Sequence, residues 1–303
     1  MNCLITGGAG HIGSHLALRL HEEGHDVDII DNISIGKRDA IKDLTDNGWV
    51  GKYVKADIKD PRMVAYALQQ NKYDICFHLA GYTVPNESTE NPIVYYENNL
   101  SSFPQFLSSL IFHGVKRIVT CRSSCYKSCP YGMCNDVIQR MVEDVSAVTP
   151  ELKYSSFLLP EVVGNNIEGK IGDYGFDKKN KLIPNCMSAS ANLKPNVTVK
   201  NGADICHLIH VDDVIEVLLN ALTDTENCHH EIECGVVATK REIVESCIKV
   251  TAGRYPFIEE EYDEDVEFIT QTNSTGNKQA SITFLDTITK STWNWIKKVK
   301  NLP

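Results

Sequence analysis

Short apolar segments alternate with longer amphipathic ones along the first half of the chain. The apolar segments have the length of buried strands, and the amphipathic stretches can form helices that cross over a sheet. Strands are predicted at residues 3–6, 27–31, 53–56, 75–79, 117–121 and 154–159. Helices are predicted at residues 11–23, 60–71, 92–113 and 131–147. Six strands separated by helices predict an α/β fold with a doubly wound parallel sheet.

The pattern changes after Gly164, where glycine and asparagine residues crowd a stretch that predicts loops. We therefore expect a first domain of residues 1–164, to which a segment near 205–235 returns. A smaller α/β domain is expected at residues 165–303. Its predicted helices are residues 212–222, 240–250 and 284–299, and its acidic run at residues 259–265 predicts a solvated loop.

Composition narrows the class of protein. Hydrophobic residues make up 42% of the chain and charged residues 23%, which is typical of a globular protein and excludes a fibrous or disordered one. The net charge of -10 argues against a nucleic-acid or anionic membrane partner and favours a small molecule. Eleven cysteines are spread along a chain without a signal-peptide pattern or a long apolar run. We expect a cytoplasmic protein with reduced thiols.

A glycine motif stands where the first predicted strand gives way to a helix. Gly7 and Gly10 permit a tight turn close to a pyrophosphate, and Gly13 lets the helix pack closely on the strand. Asp31 ends the second strand, where a carboxylate can bond the ribose hydroxyls of a dinucleotide. That carboxylate would repel a 2'-phosphate, so NAD is favoured, while Lys37 and Arg38 keep NADP open as an alternative.

The sequence resembles the extended short-chain dehydrogenases/reductases, the NAD-dependent epimerase/dehydratase family, and within it the UDP-glucose 4-epimerases. Besides the glycine motif, the resemblance rests on segments spread over nearly the whole chain, at residues 31–34, 57–58, 78–81, 87–99, 182–184, 210–214 and 285–295. It implies a Rossmann-type cofactor domain, NAD as cofactor, a UDP-sugar or other nucleotide-sugar substrate, and a homodimer. In that dimer the helices at 92–113 and 131–147 would pair across the two-fold axis, with Pro104 kinking the first of them.

The resemblance also implies cofactor contacts, which follow the dinucleotide from end to end. Contacts with the pyrophosphate are implied for Gly7, Gly10, His11, Ile12 and Gly13, and contacts with the adenosine ribose for Asp31 and Asn32. Asp57 and Ile58 are implied to flank the adenine, and Leu79, Ala80, Gly81 and Asn98 to contact the nicotinamide side. Tyr131 is implied on the nicotinamide side as well. Thr83 stands where 4-epimerases typically place a lysine that reaches the cofactor ribose.

The implied catalytic residues are Ser123, Tyr131 and Asn135. In the family a tyrosine takes the proton of the 4-hydroxyl while C4 gives a hydride to NAD, and the resulting 4-keto sugar turns over and is reduced on its other face. A lysine one helical turn after the tyrosine stabilises its phenolate, and here Asn135 holds that position. A neutral amide cannot replace the charge, although Arg122 or Lys127 could bring a cation near the phenol.

Further departures concern the substrate. Only seven residues separate Ser123 from Tyr131, where the family has a longer loop over the sugar. Glu161 stands in place of an asparagine that meets the sugar nucleotide, and Cys206 in place of an arginine that clamps the diphosphate. Two functions therefore stay open, a UDP-glucose 4-epimerase-type isomerase acting by transient C4 oxidation and an impaired NAD-binding pseudoenzyme with a scaffolding or regulatory role.

Two cysteine and histidine clusters raise the question of a metal. Neither has the paired spacing of a zinc finger, and buried cysteines often only pack, so no metal site is expected. The clusters are Cys121, Cys125, Cys129 and Cys134, and Cys228, His229, His230 and Cys234.

Overall fold

The computed structural model describes residues 1–124, 128–175, 181–253, 257–260 and 285–302. Its contacts divide the chain into two compact units. One unit comprises Met1–Leu159 with Ile215–His230, and the other Pro160–Val214 with Glu231–Pro303. The limits expected from the sequence assign cofactor binding to residues 1–164 and substrate binding to residues 165–303. These two roles stay a prediction.

The described strands form sheets of seven, three and two members. The strands are β1 (Asn2–Thr6), β2 (Asp26–Asp31), β3 (Lys52–Lys55), β4 (Ile75–His78), β5 (Arg117–Ser123), β6 (Lys153–Leu159), β7 (Glu161–Val163), β8 (Val197–Lys200), β9 (Ile205–His210), β10 (Cys228–Glu231), β11 (Val236–Thr239) and β12 (Phe257–Glu260). The large sheet has the order β3-β2-β1-β4-β5-β6, with β10 beside β6. Strands β1 to β6 pair in parallel, which confirms the predicted doubly wound α/β sheet.

Helices connect and flank these strands. They are α1 (His11–Glu22), α2 (Arg38–Asp46), α3 (Pro61–Leu68), α4 (Pro85–Glu90), α5 (Pro92–Tyr95), α6 (Phe103–Phe112), α7 (Pro130–Val148), α8 (Leu182–Ser190), α9 (Val211–Leu218), α10 (Lys240–Thr251) and α11 (Leu285–Lys300). A π-helical turn spans Tyr96–Leu100 and a 3-10 turn spans Leu219–Leu222. No helix in the described part of the chain is long and apolar enough to span a membrane.

The prediction of one continuous helix at residues 92–113 is wrong. The chain forms α5, then the π-helical turn, and starts again as α6 with Pro104 in its first turn. Proline has no amide hydrogen to give to the preceding turn, and its ring clashes with the carbonyl four residues earlier. At a helix start neither defect matters, so Pro104 begins a helix instead of kinking one. Helices α2, α4 and α8, in contrast, were not predicted from the pattern.

Each unit has its own apolar core. In the first, side chains of the parallel strands pack against α3, α6 and α7, with Phe103, Phe106 and Ile118 fully buried among them. In the second, Trp295 of α11 is buried beside β9, α8 and α10, and its indole N–H donates to the carbonyl of Asp173 at 3.2 Å. The large sheet therefore has a filled core beneath its strands, and the carboxyl ends of those strands are left to carry the polar residues described next.

Candidate cofactor and catalytic site

The glycine loop between β1 and α1 has backbone that other residues could not adopt. Gly7 has a φ of +76°, and a Cβ atom there would lie 2.7 Å from the backbone of Leu79 and Ala80. A Cβ atom on Gly13 would lie 2.3 Å from the carbonyl oxygen of Gly7. The N-cap residue of α1, Gly10, has no side chain to cap the helix, and the first turn has no acidic residue. The loop thus leads into the positive end of a helix dipole, which suits an anion.

Asp31 ties the glycine loop to the end of β2. One carboxylate oxygen accepts the backbone N–H of Ala9 at 2.9 Å, and the other accepts that of Ile33 at 2.7 Å. Burial raises the pKa of Asp31, while the two hydrogen bonds lower it by a smaller amount. A carboxylate has about four acceptor positions, so lone pairs remain for the hydroxyl groups of a ribose.

A chain of polar contacts continues from β2 across the ends of the neighbouring strands. Asn32 donates from its amide to Asp57 at 2.9 Å. The ammonium of Lys59 lies 3.7 Å from the same carboxylate and donates to the amide oxygen of Asn98 at 3.3 Å. Ile58, between them in sequence, packs partly against the apolar core. Lys59 was missed by sequence reasoning, although it lies two residues after Asp57.

The residues that follow β4 are held by two buried polar side chains. His78 bonds Thr6 Oγ1 through its Nδ1 at 3.0 Å, and burial lowers the pKa of His78 to about 4, so the ring is neutral near pH 7. The side chain of Asn99 accepts the N–H of Tyr82 and donates to its C=O, both at 2.8 Å. A Cβ atom at Gly81 would lie 3.3 Å from the Asn99 amide oxygen. Asn99 therefore fixes the backbone of this loop.

Thr83 lies in the same loop and is exposed. Its short side chain cannot reach as far as the lysine that typically occupies this position in the resembling 4-epimerases. The contact implied for that lysine is therefore missing at residue 83. Lys59, which bonds Asn98, is a cation on the same side of the sheet ends.

Tyr131 and Asn135 lie one turn apart at the start of α7, on one face of the helix. The N–H of Tyr131 donates to Ser88 Oγ at 3.2 Å, and buried Ser88 donates in turn to the carbonyl of Pro85 at 2.6 Å. Helix α4 thereby anchors the first turn of α7. Ser88 belongs to the stretch that carries the family resemblance, but its anchoring contact could not be derived from the sequence.

Asn135 carries an unsatisfied polar atom. Its Nδ2 is buried and has no hydrogen-bond partner among the described residues. Leaving a buried amide donor unbonded costs roughly 1–3 kcal/mol, so such an atom in a native structure calls for an explanation. An acceptor supplied by a bound molecule, such as a ribose hydroxyl, would satisfy it.

Ser123 is the last residue of β5, and Ser124 after it bonds the carbonyl of Leu159 through both its N–H (2.8 Å) and its hydroxyl (3.1 Å). Arg122, one candidate for a cation near the phenol, instead lies 3.1 Å from the carboxylate of Asp136. That ion pair holds its guanidinium beside Asp136. The other candidate, Lys127, lies outside the described residues.

The two substituted substrate positions belong to the second unit. Glu161 of β7 lies opposite Leu208 of β9, and burial raises the pKa of its carboxyl more strongly than Lys240 lowers it. Cys206 of β9 lies opposite Ala238 of β11 and packs partly against the core. Neither side chain supplies the positive charge that would hold a diphosphate.

The cysteines in the described part of the chain are free thiols, ten in number. Cys134 is buried and contacts the carbonyl of Tyr95 at 3.8 Å, as expected of a packing thiol. Cys234 lies 3.5 Å from the Nδ1 atom of His207. Cys125 lies outside the described residues.

Comparison with known proteins gives one family. Residues 3–235 match the model of the NAD dependent epimerase/dehydratase family. The chain is 27% identical over 335 aligned positions to a probable UDP-arabinose 4-epimerase of Oryza sativa subsp. japonica, covering 97% of this chain and 79% of the relative. It is also 27% identical to a UDP-glucose 4-epimerase of Lactobacillus helveticus, over 85% of this chain and 84% of the relative.

Solved structures share the fold. A UDP-glucose-4-epimerase from Stenotrophomonas maltophila, with bound NAD and formylated UDP-arabinopyranose, superposes with a TM-score of 0.86 at 23% identity over 100% of both chains. One from Bifidobacterium longum, in complex with NAD+ and UDP, also gives 0.86 at 22% identity over 100% of both chains.

Proposed function

The chain belongs to the NAD-dependent epimerase/dehydratase family, and from this we propose that it is a UDP-sugar 4-epimerase that acts by transient oxidation at C4. The observation that carries the proposal is the joint position of Ser123 at the end of β5 and Tyr131 at the start of α7, beside a kept dinucleotide loop. The curated relatives described above support the reaction class. Their names include both UDP-glucose and UDP-arabinose 4-epimerases, so the sugar is a hexose or a pentose.

The residues present fit NAD. The start of α1 would hold the pyrophosphate, with His11, Ile12 and the three glycines around it. Asp31 and Asn32 would bond the adenosine ribose, and Asp57 and Ile58 would flank the adenine. Leu79, Ala80, Gly81 and Asn98 would line the nicotinamide side, with Thr83 in the same loop but without the reach of a lysine. A carboxylate at residue 31 favours NAD over NADP, and the ribose of the cofactor would supply an acceptor for the unbonded Nδ2 of Asn135.

Bound NAD supplies a hydride acceptor and donor at its nicotinamide ring. The protein's own part is to hold C4 beside that ring and to move one proton. Tyr131 takes the proton of the 4-hydroxyl through its phenolic oxygen and returns it later, and Ser123 donates a hydrogen bond to the same sugar oxygen. A phenol with an ordinary pKa near 10 is only about 0.1% ionised at pH 7. Because Asn135 adds no charge, we expect turnover slower than with a lysine there.

We assign the cofactor to residues 1–164 and the substrate mainly to residues 165–303, with Glu161, just before that limit, as a further substrate position. Glu161 and Cys206 replace the asparagine and arginine that the resemblance implies, so the diphosphate is held more weakly. Burial raises the pKa of the Glu161 carboxyl, which lessens its charge repulsion toward a phosphate. This predicts a high KM for any UDP-sugar.

The assembly we propose is a homodimer in the cytoplasm. Large apolar side chains remain exposed on α6 and α7, with Phe112 84% and Val148 80% accessible. Exposed apolar residues of this size support a partner surface, and light scattering should give a particle of two chains. The free thiols of the described cysteines support a reducing compartment.

The proposal is tested by assaying the purified protein for epimerisation of each UDP-sugar in a panel. The purified protein should retain NAD, identified after denaturation, and should convert at least one UDP-sugar into its C4 epimer. Tyr131→Phe removes only the phenolic oxygen and should lower kcat by about 10²–10⁴-fold with NAD content unchanged. Tyr66→Phe, a change of the same kind at an exposed tyrosine, is the matched control. Bound NAD without epimer from any sugar would support the pseudoenzyme alternative instead.

A further inference from the structure

One group of potential metal ligands lies away from the glycine loop and from the start of α7. It consists of Asp224, Cys228 and His230, whose ligand atoms all lie within 4.8 Å of one another. The closest pair is His230 Nε2 and Asp224 Oδ2, at 2.9 Å. All three residues belong to the returning segment Ile215–His230 at the edge of the large sheet.

Strand geometry explains how two of these residues meet. Successive side chains of β10 point to opposite faces, so Cys228 and His230 share one face and His229 takes the other. His229 accordingly bonds elsewhere, to the hydroxyl of Tyr154 at 2.9 Å. Asp224 comes from the preceding loop, which the cysteine and histidine pattern of the sequence did not include.

Surrounding side chains hold the group in place. Ser155 Oγ donates to Asp224 Oδ2 at 2.7 Å, and the ring of Phe157 stacks on that of His230 with centroids 4.5 Å apart and planes 10° from parallel. Arg117 donates to the carbonyl oxygens of Asp224 at 2.6 Å and Glu226 at 3.0 Å, which fixes the loop backbone. Such outer contacts are what orient ligands in metal sites.

We propose that Asp224, Cys228 and His230 form a zinc site that fastens the returning segment to the edge of the sheet. A tetrahedral zinc ion with bonds of 2.0–2.3 Å places neighbouring ligand atoms about 3.3–3.8 Å apart, which the group reaches by shifts of about 1 Å or less. A thiolate, an imidazole and a carboxylate together select zinc over magnesium or calcium. Two anionic ligands balance the charge of the ion, and the fourth position is left to water.

Without a metal the same residues form hydrogen bonds, Asp224 accepting from Ser155 and His230, and the Cys228 thiol donating to the carbonyl of Glu226 at 3.5 Å. The two states differ in what the sulfur of Cys228 contacts. A bound zinc ion is coordinated by that sulfur, so a metal–sulfur bond at Cys228 distinguishes metal binding from simple packing.

The test uses the full chain without a histidine tag, stripped with a chelator and then given zinc. We expect one zinc ion per chain after gel filtration, and a melting temperature raised by about 2 °C or more. Cys228→Ser combined with His230→Gln should weaken zinc binding at least tenfold, and Ser155→Ala about tenfold. His229→Gln and Cys234→Ser are matched controls that should bind zinc like the original chain.

Cobalt gives a readout in the original chain itself, with one single variant as its comparison. Co²⁺ added to the stripped chain should produce a thiolate-to-cobalt charge-transfer absorption, and Cys228→Ser should abolish it. Failure of the stripped chain to retain zinc, or equal binding by the double variant, would overturn the proposal. Neither result depends on NAD or on a UDP-sugar.

Discussion

The residue that most limits the proposed chemistry is Asn135. It keeps the position, one turn after Tyr131, from which a lysine would act, but not the charge. The family resemblance identified this substitution from the sequence, because the family places a lysine four residues after the tyrosine and Asn135 holds that position. The buried and unbonded Nδ2 atom could not be predicted, since it depends on how the neighbouring elements close around the amide.

Restoring the charge should raise turnover. In Asn135→Lys the ammonium group would stabilise the phenolate form of Tyr131, because a nearby opposite charge favours the ionised form. We expect kcat at pH 7 to rise about tenfold or more, with the rate rising at lower pH than in the original chain. Asn135→Gln lengthens the side chain without charge and should give no gain. An unchanged kcat in the lysine variant, with NAD still bound, would contradict this role.

His78 predicts a pH dependence of stability. Its pKa is about 4 in the folded chain and 6.5 in the unfolded one, so only the unfolded state binds the proton between these values. The stabilisation that comes from keeping this ring neutral is fully present above pH 6.5. It is lost as the pH falls toward 4, which lowers the free energy of unfolding by at most about 3 kcal/mol. Denaturant unfolding at pH 4.5 and 7 measures the loss. His78→Asn keeps a polar partner for Thr6 without titrating, and an equal loss in that variant would contradict the assignment.

At the scale of elements, the order of strands and helices follows from the pattern of apolar segments. The helix predicted at residues 92–113 was wrong because the apolar pattern continues past Pro104, whereas a helical backbone cannot continue regularly through a proline. Helix α2 was not predicted, although Ala40, Ile41 and Leu44 form its buried stripe. Nine residues make a weak periodic signal. Contacts between elements, such as that of Ser88 with α7, need the folded chain.

The crossing of α1 and β1 depends on Gly13. In Gly13→Ala the new Cβ atom would meet the Gly7 carbonyl oxygen at 2.3 Å and Gly8 Cα at 2.9 Å, so backbone must move. We expect the free energy of unfolding of the cofactor-free chain to fall by about 1–3 kcal/mol, measured with denaturant. In Gly10→Ala the new Cβ atom has its nearest contact at 3.1 Å, so the free energy of unfolding should fall clearly less. An equal fall in both variants would show that α1 and β1 do not pack closely at Gly13.

At the scale of the whole molecule, the proposed function combines a glycine loop that follows the family pattern with departures from that pattern at proposed substrate positions. The first unit retains the glycine loop, Asp31 and the Ser123 and Tyr131 pair, whereas Asn135, Glu161 and Cys206 depart from the family pattern. Composition and charge indicate only that the protein is globular and acidic and that its partner is a small molecule. The resemblance and the family match supply the reaction class.

The central claim, transient oxidation at C4, is tested most directly with a UDP-sugar that carries deuterium at C4. The hydride removed from C4 returns to the same carbon from the nicotinamide ring, so the product epimer should keep its deuterium. Nuclear magnetic resonance of the product, made by the NAD-containing protein in ordinary water, measures the label. We predict an epimer with deuterium retained at C4. Loss of the label to solvent, or no epimer at all, would contradict the account.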